Sequence, residues 1–408
     1  MSTAEEESAS VVLPEGLRRG RPGYVTALVA LVAAGLASFN TMYCTQALMP
    51  TLTDALGASA ADASLTVSAA TGVLALTILP ASVLSERFGR GRVIVGSAAA
   101  AVAVGLLLPF APSLSWLVVG RGVQGLMVAG VPATAMAWLS QEIDPHYLPQ
   151  AMGLYVAGNT VGGLLGRLIP AGMLNFTGWR WALAVDMLFA LACTVVTVFI
   201  MPKERRFVPK AIGLRTEMQA VLNHWYDSRK ASLFLVAFLA MGTFVSLYDF
   251  LGYRLTTAPF HFSQSGVGGI FLLYLFGTVA SARTGTVVTR WGRSRTILGG
   301  AVLGLVGLPM VISTRLSVIL IGVAVFTYGF FIVHSVASGW VGALANKDRA
   351  EASGTYLACY YLGSSIVGYL SGLVFHHFGW RTLTLWMEGT FILSTILVVT
   401  VARRSATH

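Results

Sequence analysis

Long apolar runs separated by short polar ones extend over nearly the whole chain. They cover roughly 24–49, 63–85, 93–112, 115–140, 149–173 and 178–201, and then 231–252, 265–288, 296–313, 317–345, 351–375 and 379–402. Each is near the ~20 residues that a helix needs to cross a bilayer. The short alternating strands of a membrane barrel are missing, and hydrocarbon tolerates no unpaired backbone. The expected fold class is therefore all-α integral membrane, with twelve transmembrane helices. The longest internal polar segment, 202–230, divides these into six and six. The expected organisation is a tail over 1–23, a six-helix bundle over 24–201, a linker over 202–230, a second bundle over 231–402 and a tail over 403–408. The first span is long and has polar residues in its outer half, so it reads as a retained helix rather than a cleaved leader.

The second half of the chain repeats the first. Glu86-Arg87-Phe88-Gly89-Arg90-Gly91-Arg92 returns as Thr289-Arg290-Trp291-Gly292-Arg293-Ser294-Arg295, and Gly178-Trp179-Arg180 returns as Gly379-Trp380-Arg381. Phe39 and Tyr43 of the first span correspond to Phe244 and Tyr248 of the seventh; Gly158, Asn159 and Gly163 of the fifth correspond to Gly363, Ser364 and Gly368 of the eleventh. Parallel repeats of six helices predict two pseudo-symmetric bundles with a substrate cavity between them, exposed to each side in turn as one bundle rocks on the other.

Composition and charge sharpen this picture. With 55% hydrophobic and 11% charged residues, the chain has too little polar surface for a soluble globular protein. The formal net charge of +10 is distributed by topology, not gathered into a nucleic-acid surface. With the N-terminus inside, Arg18, Arg19, Arg21, Arg87, Arg90, Arg92, Lys203, Arg205, Arg206, Lys210, Arg215, Arg229, Lys230, Arg290, Arg293, Arg295, Lys347, Arg349, Arg403 and Arg404 fall on the inner face. Arg180, Arg254, Arg315 and Arg381 fall outside, so both termini are expected in the cytoplasm of a cell (inner) membrane protein, with anionic lipid near the basic face. Cys44, Cys193 and Cys359 lie in separate apolar spans, with no Cys-x-x-Cys or His-rich cluster, and no lysine follows a glycine. No metal site, disulfide framework, phosphate loop or cofactor is therefore expected, and no enzyme.

At the level of motifs, Glu86 to Arg92 resembles the loop motif Asp-Arg-x-Gly-Arg-Arg-Arg of the major facilitator superfamily. Arg121-Gly122-Val123-Gln124-Gly125 resembles its helix-four motif Arg-x-x-Gln-Gly, and Gly158-Asn159-Thr160-Val161-Gly162-Gly163 is similar to the antiporter motif Gly-Pro-x-x-Gly-Gly. The strings Tyr43 to Pro50, His334 to Gly342 and Tyr360 to Ser365 resemble the YnfM-type bacterial efflux proteins of the twelve-helix drug/proton antiporter branch. The chain departs from the pattern at Glu86, Ser82 and Asn159, which stand where Asp, Gly and Pro are preferred. Asn40 stands where many antiporters carry an acid.

Charged side chains within a bilayer usually face a cavity or a partner. Arg121, Arg167, Arg283, Asp186, Asp249 and Glu388 are those present. Asp249 is read as the coupling proton carrier or as half of a fixed Asp–Arg pair. His334 is the second proton candidate or a satisfied hydrogen-bonding residue. The resemblance places Arg121 in the cavity wall, tuning a nearby acid or holding an anion; the alternative is that it binds backbone carbonyls of the first helix. Asp186 and Glu388 follow the Gly-Trp-Arg turns at similar depth and read as structural. Asn40, Tyr43, Gln46, Gln124, Tyr248, Tyr360 and Tyr361 are candidate substrate contacts. Glu86, Arg87, Gly89, Arg90, Arg92, Arg290 and Arg293 are candidate gating residues at the inner face. The expected function is proton-coupled efflux of a small organic compound by alternating access, with coupled uptake or facilitated diffusion as the alternative, and a non-transporting sensor as a third.

Overall fold

The computed structural model describes residues 15–209, 213–345 and 347–406. Most of the expected N-terminal tail, Lys210, which is expected at the inner face, and the last two residues lie outside them. Among the described residues nine helices are long and apolar enough to cross a membrane. They are Tyr24–Leu56 (α1), Ala60–Phe88 (α2), Arg90–Phe110 (α3), Leu114–Glu142 (α4), Trp179–Ile200, Ser228–Thr256, Ser265–Met310, Leu316–Leu344 and Arg349–Arg404. Two of these are broken by glycines of positive φ, Gly292 (φ 78°) and Gly379 (φ 75°), and each is two spans. Leu148–Met173, more polar through Gln150, Asn159 and Arg167, supplies the twelfth. In chain order it is α5, followed by Trp179–Ile200 (α6), Ser228–Thr256 (α7), 265–291 (α8), 293–310 (α9), Leu316–Leu344 (α10), 349–378 (α11) and 380–404 (α12). The repeated loop is thus repeated in conformation: Gly89, with φ 100°, separates α2 from α3 as Gly292 separates α8 from α9. A side chain at either position would be strained.

Local chemistry sets the ends of these helices. Ser59 accepts from the Asp62 N–H at 3.0 Å while the Asp62 carboxylate returns to Ser59, a reciprocal cap that starts α2. Asp227 caps α7 through the Arg229 N–H. Within α1 the helix stops at Tyr43, tightens into a single 3-10 turn over Gln46–Leu48 and resumes at Met49, with Pro50 in the first turn, where a missing N–H is tolerated. Gln46 therefore sits at a break.

Glycines bring equivalent helices into close contact in both halves. A Cβ on Gly162 of α5 would overlap the Leu36 carbonyl of α1, and one on Gly363 of α11 would overlap the Phe238 carbonyl of α7. The seam between the halves is closed at the face away from the termini. There Thr53 and Tyr253 share a 2.7 Å hydrogen bond, Gly252 packs on Pro50 and Gly268 on Ala171. Residues 40–50 of α1 and 241–252 of α7 are all buried, whereas Val25, Val29 and Leu235, toward the termini, are exposed. The 202–230 segment, expected only as a polar linker, contains the helix Leu214–Trp225. It docks through His224, whose Nε2 lies 3.0 Å from the Asp348 carbonyl and whose Nδ1 accepts from Lys230 at 2.9 Å.

Candidate functional site

Three buried side chains from three helices form one hydrogen-bonded line across the seam. At the break in α1, Gln46 donates through Nε2 to Asp249 Oδ1 on α7 and accepts through Oε1 from Arg167 Nε on α5. All three are at most 2% exposed. Arg167 also donates to the Gly163 carbonyl one turn earlier at 2.5 Å and to the Tyr274 hydroxyl of α8 at 3.1 Å. Its guanidinium lies 4.0 Å from the Tyr43 ring centre, 4.4 Å from Tyr274 and 5.3 Å from Phe271. A cation enclosed by aromatic faces is stabilised where water is excluded. Tyr248, 4.3 Å from Tyr274, bonds Thr327 of α10 at 2.8 Å within the second half, while Tyr43 joins the ring cluster from the first.

His334 begins a second, adjoining group. Its Nδ1 is 3.1 Å from the Tyr356 hydroxyl, and its ring is 4.6 Å from Tyr360, which in turn contacts Tyr361. A third group lies wholly within the first half. Arg121 donates to the carbonyls of Thr41 (2.6 Å), Met42 and Thr66 (2.8 Å), to Gln124 and to Cys44. Gln124 also donates to the Ala101 carbonyl at 3.2 Å. Asn40 donates to Asp186 Oδ1 at 2.8 Å. Asn40, Gln124 and Arg121 therefore brace α1 against α2, α3, α4 and α6. Glu388 Oε2 is buried without a partner, while Arg283 is exposed and makes no bond among the described residues.

Of the candidate gating residues, the structure joins Glu86, Gly89 and Arg90. Arg90 pairs with Glu86, and donates to Gln141 and to the Ala137 carbonyl at 3.2 Å. Its backbone N–H and that of Gly91 donate to Glu204 at 2.8 and 3.1 Å, so a carboxylate from the linker caps the N-terminus of α3. Burial pushes the Glu204 carboxyl above its ordinary value, against the lowering effect of those two bonds. Arg87, Arg92, Arg290 and Arg293 are exposed. Sequence reasoning missed Glu204, and it missed Tyr274 and Phe271. Arg167 it counted only as a charge in the membrane. The available signal for Arg167 was its place four residues after Gly163, inside the glycine-rich run of α5 that must pack closely on a neighbour.

The sequence profile of the Major Facilitator Superfamily matches residues 31–335. The chain is 38% identical over 388 residues to the inner membrane transport protein YnfM of Escherichia coli (strain K12), covering 95% of this chain and 93% of that one. It is 35% identical over 383 residues to the uncharacterized MFS-type transporter YybF of Bacillus subtilis (strain 168), covering 91% and 95%. The fold is similar to that of the nucleoside transporter NupG, with a TM-score of 0.77 at 12% identity over 92% of this chain and 99% of that one. It is also similar to a bacterial homologue of the lysosomal transporter Spinster, with a TM-score of 0.70 at 14% identity over 94% and 96%.

Proposed function

This chain belongs to the Major Facilitator Superfamily, a family of multi-pass membrane transporters and not of enzymes, and we propose that within it the protein is a proton-driven antiporter exporting a small organic compound. The observation that carries this reading is the line Asp249–Gln46–Arg167. A carboxylate and a guanidinium are held apart by one amide that contacts both, at the seam that rocking must open. Protonating Asp249 weakens its hold on Gln46, which then answers only to Arg167; losing the proton restores the line. The two charge states thus favour different relations between α1, α5 and α7, and that difference in interaction energy is what coupling requires.

Tyr43, Tyr248 and Tyr274 around Arg167 supply aromatic faces for an organic substrate, with His334, Tyr360 and Tyr361 extending the same wall. Arg121, with Gln124 and Asn40, keeps α1 in position rather than meeting the proton. Glu86 and Arg90 form an inner-face latch, with both termini in the cytoplasm, as the basic-residue asymmetry supports. The test is the direction of flow in sealed vesicles. An antiporter discharges an imposed pH gradient when its substrate is added on the side from which it leaves. Movement of substrate and protons in the same direction selects coupled uptake instead.

A further inference from the structure

Beside the line just described, Asp249 keeps a second oxygen that the line does not use. Oδ2 is buried and has no hydrogen-bond partner, and the same is true of Ser68 Oγ on α2 and Ser364 Oγ on α11. These residues are 1%, 3% and 0% exposed. Neighbouring hydroxyls are not left this way: Ser365 donates to the Ser68 carbonyl at 2.7 Å, and Ser246 donates to Ser371 at 2.7 Å. Two of these orphan atoms, Ser68 Oγ and Asp249 Oδ2, meet at one residue. A Cβ built on Gly368 of α11 would stand 3.6 Å from Ser68 Oγ and 3.9 Å from Asp249 Oδ2, with Val245 Cγ1 at 3.6 Å on the apolar side. Ser364 lies one turn earlier on the same face of α11. Buried polar atoms that lack protein partners are where proteins hold water, provided two to four of them converge.

We propose that Gly368 forms the seat of a bound water that joins Ser68 to Asp249 Oδ2 and delivers the transported proton. The proposal rests on the reading of Asp249 as the proton carrier. In it, Oδ1 is held by Gln46 and senses the bundle arrangement, while Oδ2 exchanges the proton. On loading, an O–H bond of a hydronium in the seat breaks, an O–H bond forms on Oδ2 and a neutral water stays, hydrogen-bonded to Ser68. Release reverses each step. The titratable and charged groups facing Asp249 are Arg167 from α5, Tyr43 from α1, Tyr274 from α8 and Tyr253 on its own helix. From α2 the group identified beside Oδ2 is the Ser68 hydroxyl, and α11 presents Gly368 there, so the seat lies on the uncharged side of the carboxylate.

Gly368→Ala fills the seat at ordinary contact distances, and Ser68→Ala removes its hydroxyl, so both variants should fold. The probe is hydrogen–deuterium exchange of the protonated carboxyl band in the infrared spectrum of the full chain in lipid, which needs no transported compound. The Asp249→Asn variant identifies the band. Wild type should exchange it rapidly, and both alanine variants should slow exchange by about tenfold or more while the band remains. If the band is lost in Asp249→Asn yet exchanges at the wild-type rate in both alanine variants, the water seat is wrong and the proton carrier stands. If Asp249→Asn leaves the carboxyl spectrum unchanged at every pH, the carrier itself is wrong and the seat falls with it.

Discussion

Replacing Arg167 by lysine keeps the charge at the centre of the seam and removes the fork that uses it. The guanidinium donates to Gln46, to Gly163 at 2.5 Å and to Tyr274 at 3.1 Å, and lies between two tyrosine rings at 4.0 and 4.4 Å. An ammonium on a flexible stem is a point charge without a planar face, and it can keep one of these bonds well. In a soluble core, two lost bonds from a charged donor amount to about 3–6 kcal/mol. Between membrane helices the measured average is only ~0.6 kcal/mol per bond, with ~1.7 as the upper end, because the unfolded chain in lipid also finds partners. The membrane scale applies here, and two lost bonds with the lost stacking give about 2–5 kcal/mol. Reversible denaturant unfolding in micelles should show Arg167→Lys destabilised by that amount, with transport reduced in the same preparation. Arg283→Lys is the control, since Arg283 is exposed and unbonded among the described residues; it should lie within about 0.5 kcal/mol of wild type. An Arg167→Lys protein as stable as that control, transporting at the wild-type rate, would refute the central placement of Arg167.

Three further outcomes are expected. Gly363→Ala places a Cβ against the Phe238 carbonyl and should cost about 1–3 kcal/mol in the same unfolding assay. Gly339→Ala, with nothing within 4 Å, should be neutral or slightly stabilising; equal behaviour of the two would contradict the α7–α11 packing. Burial, then the neighbouring Glu351, Glu86 and Asp348, push the Glu217 carboxyl up to about 7. A raised acid supports the docked linker helix fully below its unfolded value and loses that support as pH rises through about 7. Hydrogen exchange over Leu214–Trp225, corrected for intrinsic rates, should therefore increase between about pH 6 and pH 8 in wild type and stay flat in Glu217→Gln. The same rise in the variant would remove Glu217 from the explanation. Arg90→Ala breaks the bonds to Glu86, Gln141 and Ala137 and should slow turnover severalfold with substrate affinity nearly unchanged, as stop-flow transport can show. Unaltered turnover in a correctly inserted variant counts against the latch.

The spans were legible because crossing a bilayer demands about twenty apolar residues and a helix, which hydropathy records directly. Repetition added the paired architecture, down to Gly89 and Gly292 adopting the same unusual φ. Pairing across the seam was not legible. Gln46 and Asp249 are 203 positions apart, and nothing along either segment says that a break in α1 turns that amide toward both α5 and α7. Tyr274 and Phe271 are aromatic residues in an apolar run, indistinguishable in sequence from rings facing lipid. Arg121 was singled out by its motif, with the cavity wall and the carbonyls of the first helix as alternatives, whereas Arg167 carried no such motif. Packing ties Arg121 to α1, α2 and its own helix within the first half, while Arg167 reaches Tyr274 in the second. The linker helix was hidden because a short amphipathic segment among charged residues carries no span-length signal.

Asp249→Asn tests the central claim most directly. The substitution keeps the size of the side chain and an acceptor for Gln46 while removing the titrating group. Purified protein in sealed vesicles should still exchange labelled substrate when pH is equal on both sides, and should fail to accumulate it when a pH gradient is imposed. Accumulation at the wild-type level by Asp249→Asn would contradict the account and move the coupling proton elsewhere in the seam.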